Sequence, residues 1–385
     1  MTRARLAITT IFLSNGFLMA AWVSHLPAIK ARCALDDRGL GTVLWAAAAG
    51  ALCMMPLAGW LATRIGSRNV TIFMALGLCL AITGPLLVSH WAALAAVLFV
   101  LGAFNGGLDV AMNTHAVAVQ TIVGKPIMTF THAMYSLGNV IGAVTASAAL
   151  ATNIDPAYHV AAGAALTIIA LAFSAPGLLP REHDARSEGP RFAWLPRKLV
   201  GVGILCFMAL LVEGAMGEWT TVFSRDHLHV PASLAPLGFA AFAATMTLGR
   251  FVSGPVFARF GTVRTLMATA FPGAVLLAIA LAVGNPIVFV VALAIVGLAI
   301  AGAVPVLFSA AGTTPGVPPG IGLAAVATVG YVGLLTGPPL IGAIAGAAGS
   351  LSAGLAVCVA ALLIIGAGAR WANPPANPPT TTPAT

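Results

Sequence analysis

The sequence predicts an all-α membrane protein that crosses the bilayer many times, and three observations carry that prediction. Apolar side chains make up 59% of its 385 residues and charged ones only 7%, against about 25% charged in soluble domains. The mean hydropathy is +1.00. Turn and charge signals cut the chain into twelve apolar runs, each roughly 20 residues or longer, the length a helix needs to cross a bilayer.

In chain order the runs cover 6–29, 39–63, 70–88, 92–120, 127–150 and 157–178, then 199–223, 233–258, 263–283, 286–312, 320–346 and 350–370. Arg3 and Arg5 before the first run resemble a signal peptide. That run continues to Ile29 and a second follows, so an uncleaved first helix is expected. With the N-terminus cytoplasmic, the inside segments hold Arg3, Arg5, Arg64, Arg68, Lys125, Arg181, Arg186, Arg191, Arg197, Lys198, Arg259, Arg264 and Arg370. The outside loops hold Lys30, Arg32, Arg38 and Arg225. This bias predicts cytoplasmic termini, and it explains the net charge of +8 without nucleic acid.

The most polar stretch, 181–198, lies near the midpoint. It is expected to be a cytoplasmic linker between six-helix bundles formed by 1–180 and 199–371. The tail 372–385, rich in Pro and Thr, is expected to be disordered. The halves repeat. G-W-L-A-T-R-I-G-S-R at 59–68 and G-P-V-F-A-R-F-G-T-V-R at 254–264 share Gly, Arg and Gly at the same offsets. Asn15-Gly16 precedes Trp22 much as Glu213-Gly214 precedes Trp219. Parallel repeats of six spans suit a two-bundle transporter.

The stretch from Gly59 to Arg68 resembles the loop signature of the major facilitator superfamily, G-x-x-x-D-R-x-G-R-R, and the twelve runs and central linker extend the likeness over nearly the whole chain. The resemblance implies the two-bundle fold of that superfamily and a gating role for Gly59, Arg64, Gly66, Arg68, Arg259 and Gly261. The signature Asp is replaced by Thr63 here and by Ala258 in the second copy, so a cytoplasmic latch has to rest on other contacts. The strings D-V-A-M-N at 109–113, P-I-M-T-F-T-H-A-M-Y-S-L-G at 126–138 and E-G-A-M-G-E-W at 213–219 resemble the MosC/YbjJ-type subgroup. That likeness implies transport of a sugar, polyol or amino-polyol. The fifth run lacks the G-P-x-x-G-G signature usual in drug/proton antiporters, reading S-L-G-N-V-I-G-A instead.

Within the runs, polar residues mark the expected pathway. A carboxylate at mid-membrane costs about 2.5–3.5 kcal/mol and signals function. Asp109 is one such group, and Asn105 and Asn113 lie four residues to either side, on the same helix face. Glu213 and Glu218 are the others, and His132 is a possible proton relay. Proton coupling is therefore expected at Asp109, Glu213, Glu218 and His132. The expected solute-binding groups are Asn15, Asn105, Asn113, Asn139 and Tyr331. Trp22 and Trp219 join them either as stacking platforms or as members of an interfacial aromatic belt. Arg250 is expected to snorkel to the cytoplasmic face or pair at the gate there. Gly138-x-x-x-Gly142 and Gly333-x-x-x-Gly337 suit close helix packing, between the bundles or within them.

Five scattered cysteines and the histidine spacing suggest no disulfide framework and no metal site. No nucleophile elbow, phosphate loop or ATP-binding signature is present, so neither an enzyme nor a cofactor is expected. The expectation is a monomeric, multi-pass transporter of the bacterial inner membrane. It moves a small polar solute by alternating access with protons as the coupling ion. The rivals are a drug or metabolite exporter of the same fold and a non-transporting membrane sensor.

Overall fold

The computed structural model describes residues 2–125, 127–184 and 195–372. Most of the linker (185–194) and all but the first residue of the expected tail (373–385) lie outside them. Among the described residues there are fourteen α-helices and no strand. In the first half these are α1 (Thr2–Val23), α2 (Leu26–Arg32), α3 (Asp37–Ile65), α4 (Ser67–Ala81), α5 (Trp91–Val123), α6 (Met128–Ala151) and α7 (Pro156–Ser174). The second half holds α8 (Val200–Asp226), α9 (Pro236–Phe260), α10 (Thr262–Val283), α11 (Pro286–Ala301), α12 (Ala303–Thr313), α13 (Pro319–Ala348) and α14 (Leu351–Ala367). Ten rods are long and apolar enough to cross a membrane, with α11 and α12 forming one of them. The helix α14 is apolar but shorter, and α9 carries Arg250 in its interior.

Local chemistry sets the helix ends. Asp36 accepts from the backbone N–H of Gly39 at 2.6 Å, and Asn285 from those of Ile287 and Val288 at 2.9 and 3.2 Å. Both satisfy donors that a helix start leaves unpaired. The first apolar run, expected to continue to residue 29, breaks after Val23. Pro27, which lacks an N–H, sits at the start of the short α2, where its missing donor costs nothing.

Glycine lets two helix pairs cross at backbone contact, and the crossings correspond. A Cβ on Gly16 of α1 would lie 2.0 Å from the Tyr135 carbonyl oxygen of α6, and one on Gly138 would lie 2.1 Å from that of Leu13. In the second half, Gly214 of α8 meets the Leu334 carbonyl of α13 at 2.4 Å, and Gly337 meets that of Leu211 at 2.9 Å. Counting back six residues from Gly138 and from Gly337 reaches His132 and Tyr331, which are therefore equivalent. Both small-residue motifs bind helices within a half. The close glycine contact between halves is elsewhere, where Gly41 of α3 meets the Gly342 backbone of α13.

The main contacts between the halves join α6 to α9 and α3 to α13. Lys30, just past the end of α1, meets Asp226 at the end of α8, so α1 and α8 run the same way. Trp371 packs on Gly201 at the start of α8, so the start of α1 and the end of the described chain lie at one end of the molecule.

Candidate functional site

The helix α5 brings Asn105, Asp109 and Asn113 to one half-buried face, as the four-residue spacing requires. Asn113 Nδ2 donates to the Asp109 carbonyl oxygen at 2.8 Å and to Asp109 Oδ1 at 3.2 Å. From the other half, the Tyr331 hydroxyl of α13 interacts with the Asp109 carboxyl, and Glu213 of α8 is close enough for its charge to act there. The face therefore looks across the interface between the halves.

Opposite it stands an ion pair. Arg250 Nη2 of α9 donates to Glu213 Oε1 at 3.1 Å. Arg250 Nη1 donates across to α6, to the His132 carbonyl oxygen at 3.0 Å and to Ser136 Oγ. One guanidinium thus joins α8, α9 and α6, a use of its planar fork that a lysine does not reproduce. Tyr135 lies within the field of Asp109, Glu213 and Arg250. The His132 ring packs edge-on against Phe12, with centroids 5.3 Å apart.

Three oxygens here, Asn105 Oδ1, Asp109 Oδ2 and Glu213 Oε2, are buried without a hydrogen-bond partner among the described residues. With both carboxyls ionised, Asp109 and Glu213 against Arg250 leave one excess negative charge. Acceptors and a negative balance suit a proton or a solute rich in hydrogen-bond donors. The arrangement contains no nucleophile–base pair and, among the described residues, no group of three or more metal-ligating side chains.

Several expected site residues stand elsewhere. Asn15 is buried inside the first half, where Nδ2 contacts Met112 Sδ at 3.8 Å and the side chain lines a small cavity with Thr10, Leu78, Thr167 and Ser174. It is not on the Asp109 face, because Met112 is three residues past Asp109 and points to an adjacent side of α5. Trp22 and Trp219 are 1% and 0% exposed, so the aromatic-belt alternative fails. Trp219 Nε1 donates to the Pro338 carbonyl oxygen at 2.9 Å, which makes it a packing anchor between α8 and α13. Arg250 is 7% exposed and central. It does not snorkel, because a buried carboxylate and two oxygens of α6 offer it partners within reach. Glu218 is half-buried on α8 with Oε2 unpartnered and makes no ion pair among the described residues. Asn139 is half-buried on α6.

The expected gating residues lie at the end that holds the termini. Gly66 and Gly261 make the turns after α3 and α9, with φ of +91° and +80°. Arg64 and Arg259 are exposed and stack over Trp60 and Phe260 of their own helices, while Arg68 is half-buried and Gly59 faces Val110. The carboxylate missing at Thr63 has a substitute from the linker. Asp184 accepts from the Ser67 backbone N–H at 2.7 Å and from Ser67 Oγ at 2.5 Å.

Sequence reasoning missed Ser136 and Tyr135, although each lies within three residues of the expected crossing glycine Gly138. It also read Lys30 as a topology signal alone. Lys30 Nζ bonds Asp37 at 2.6 Å and Asp226 at 2.7 Å, and His227 Nε2 lies 3.1 Å from Asp37 Oδ2. Burial alone would lower the Lys30 pKa. The bonds to Asp226 and Asp37 outweigh it and hold the ammonium above the ordinary lysine value.

Comparison with known proteins decides the family. The Major Facilitator Superfamily model matches residues 10–317. The chain belongs to the major facilitator superfamily. It is 34% identical over 359 residues to an uncharacterized MFS-type transporter of Yersinia pestis, covering 93% of each chain. It is 32% identical over 358 residues to the membrane protein MosC of Rhizobium meliloti, covering 90% of this chain and 85% of the relative. This superfamily member is therefore of the MosC type, and it belongs to a family of transporters, not enzymes. Among solved structures, the nucleoside transporter NupG superposes with a TM-score of 0.70 at 15% identity, covering 96% of this chain and 97% of that one. The fucose:proton symporter FucP of E. coli gives 0.64 at 15% identity, covering 96% and 99%. At that identity the likeness shows the fold alone.

Proposed function

We propose that this protein is a proton-coupled secondary transporter of the bacterial inner membrane that moves a small polar solute by alternating access. In this reading twelve spans form two six-helix bundles, 1–180 and 199–371, joined by the linker 181–198. Both termini are cytoplasmic, and the monomer is the working unit. The distribution of Lys and Arg supports the orientation. The observation that carries the reading is the Asp109 face set against the Glu213–Arg250 pair across the interface of the halves. Ionisable groups there are costly unless water and cargo reach them.

A proton on Asp109 or Glu213 removes the excess negative charge and changes how strongly Arg250 is held. Arg250 also binds α6 of the other half, so protonation at Glu213 bears on the contact between halves. Donor-rich solutes such as a sugar, polyol or amino-polyol match the acceptor oxygens of Asn105 and Glu213, and MosC is a relative. FucP, a fucose:proton symporter, offers precedent for this fold, not for this chain.

The test begins with a thermal-shift screen of purified protein against sugars, inositols and amines at two pH values. The stabilising solute is then used for uptake into proteoliposomes. Asp109→Asn is expected to lower uptake driven by a pH gradient more than tenfold, in line with loss of a positioned proton-transfer group, while solute exchange without a gradient persists. Unchanged gradient-driven uptake would remove Asp109 from the coupling route.

A further inference from the structure

We propose that Lys30, Asp37, Asp226 and His227 form a clasp that holds the two halves together at the end opposite the termini, and that a proton on His227 tightens it. The clasp is separate from the coupling assigned to Asp109, and it stands or falls independently.

The geometry joins the halves through both of its acidic members. Lys30 of α2 lies between Asp37 of α3 and Asp226 of α8, at 2.6 and 2.7 Å. His227, which follows α8, reaches back to Asp37 at 3.1 Å. Its ring stacks on Phe223 with centroids 5.5 Å apart and planes 15° apart, which aims Nε2 at the carboxylate. Among the described residues, the ion pairs that cross between halves are Lys30–Asp226 and His227–Asp37, both at this end. Beside them Gly41 meets Gly342 at backbone contact and Arg38 lies against Gly346, so the ionic bridge sits on the closest approach of α3 and α13. The four groups are partly shielded, with side-chain exposures of 12% to 33%, so their pairing is less screened than on an open surface.

Charge counting gives the sign. One ammonium against two carboxylates leaves the cluster one unit negative while His227 is neutral. A proton on His227 cancels that unit and turns its bond to Asp37 into an ion pair. A pH low enough to add this proton tightens the clasp, and a pH that removes it loosens the clasp. The other ionisable groups nearby have partners or positions of their own. Asp36 caps α3, Arg32 donates to the Leu86 carbonyl oxygen, and Arg38 covers Gly346. Arg225 lines a small cavity with His25 and Thr221. His25 bonds His159 at 3.0 Å. Burial and then the His159 charge, against a smaller opposing effect of Asp155, push the His25 imidazole down to about 3, so it stays neutral across the range in question. His229 follows two residues after His227, with φ of +54°.

The test is hydrogen–deuterium exchange of the purified full chain in nanodiscs at pH 6 and pH 8, corrected for intrinsic exchange, read in peptides covering 26–44 and 338–351. Wild-type protein is expected to exchange there roughly three- to tenfold more slowly at pH 6 than at pH 8. Asp226→Asn is expected to raise exchange by a similar factor at both pH values. Lys30→Met leaves Asp37 and Asp226 facing each other without their shared cation and is expected to raise exchange further, and adding Asp226→Asn to it is expected to lower exchange again, which independent packing roles would not do. His227→Gln, a change at a part-exposed side chain, is expected to abolish the pH difference. Wild-type protection in Asp226→Asn, or faster exchange still when Asp226→Asn is added to Lys30→Met, overturns the clasp. A full pH difference in His227→Gln overturns the role of His227.

Discussion

At the turn after α3, Gly66 has φ of +91° and ψ of 145°, and at the turn after α9, Gly261 has φ of +80° and ψ of 156°. The two backbones agree, as the repeated Gly, Arg and Gly require. Their surroundings do not. A Cβ at Gly66 would lie 3.0 Å from the Arg181 side chain, whereas one at Gly261 would meet nothing within 4 Å. Asp184 binds both Ser67 N and Oγ at the first turn, and Arg181 Nη2 donates to the Thr63 carbonyl oxygen. At the second turn α10 begins without a side-chain cap. One turn is strapped by the linker, and its twin has no such strap among the described residues.

The halves diverge in the same manner at the centre. Asn15 and Glu213 precede equivalent crossing glycines, yet Asn15 turns into its own half and Glu213 binds Arg250. The two central carboxyls also differ, since Asp109 is met by an amide and a phenol and Glu213 by a guanidinium. A duplicated backbone plan thus carries unequal polar loads, and the inequality is what leaves the interface with an unbalanced charge.

The strongest way to break this comparison is at Arg250. Arg250→Met leaves Glu213 buried and uncompensated, which is expected to cost about 3–5 kcal/mol. Asp109→Asn removes a carboxylate without stranding a cation and is expected to cost much less. Denaturant unfolding of the two variants in the same detergent measures the difference, and equal stabilities would mean that the pair does not hold the site. The turns give the next largest effect. Gly66→Ala and Gly261→Ala both place a side chain in backbone conformations that are nearly exclusive to glycine, at about 1–3 kcal/mol each. Gly66→Ala is expected to be the worse because it also displaces Arg181, and the order of melting temperatures checks this. The smallest effect is at the strap itself. Asp184→Ala is expected to cost about 1 kcal/mol, the usual loss of a helix cap, and to raise exchange at the start of α4 while leaving α10 unchanged.

Much of this was legible in the sequence, for definite reasons. The Asp109 face follows from spacing, because residues four apart share one side of any helix. The positive φ of Gly66 and Gly261 follows from a glycine repeated at two loop positions. Arg250 was legible as a buried charge in an apolar run but not as the partner of Glu213. The two are 37 residues apart, and nothing local says which helices meet. The place of Asn15 was not legible, because an amide in an apolar run signals only that it avoids lipid, and the inside of a half satisfies that as well as the central interface. Lys30, Asp37, Asp226 and His227 were passed over because charges at span ends have an adequate local explanation in membrane orientation.

By itself the sequence determined the membrane class, the repeated turns and which helix face is polar, since each follows from the cost of exposing polar groups to oil and from helical periodicity. Only the tertiary structure decided which polar groups share a site. Arg250 meeting both Glu213 and α6, Asp184 standing in at the signature turn, and Lys30 linking Asp37 to Asp226 all depend on how rods remote in sequence pack. Packing is a sum over many side chains of both partners, and no single run of residues contains it.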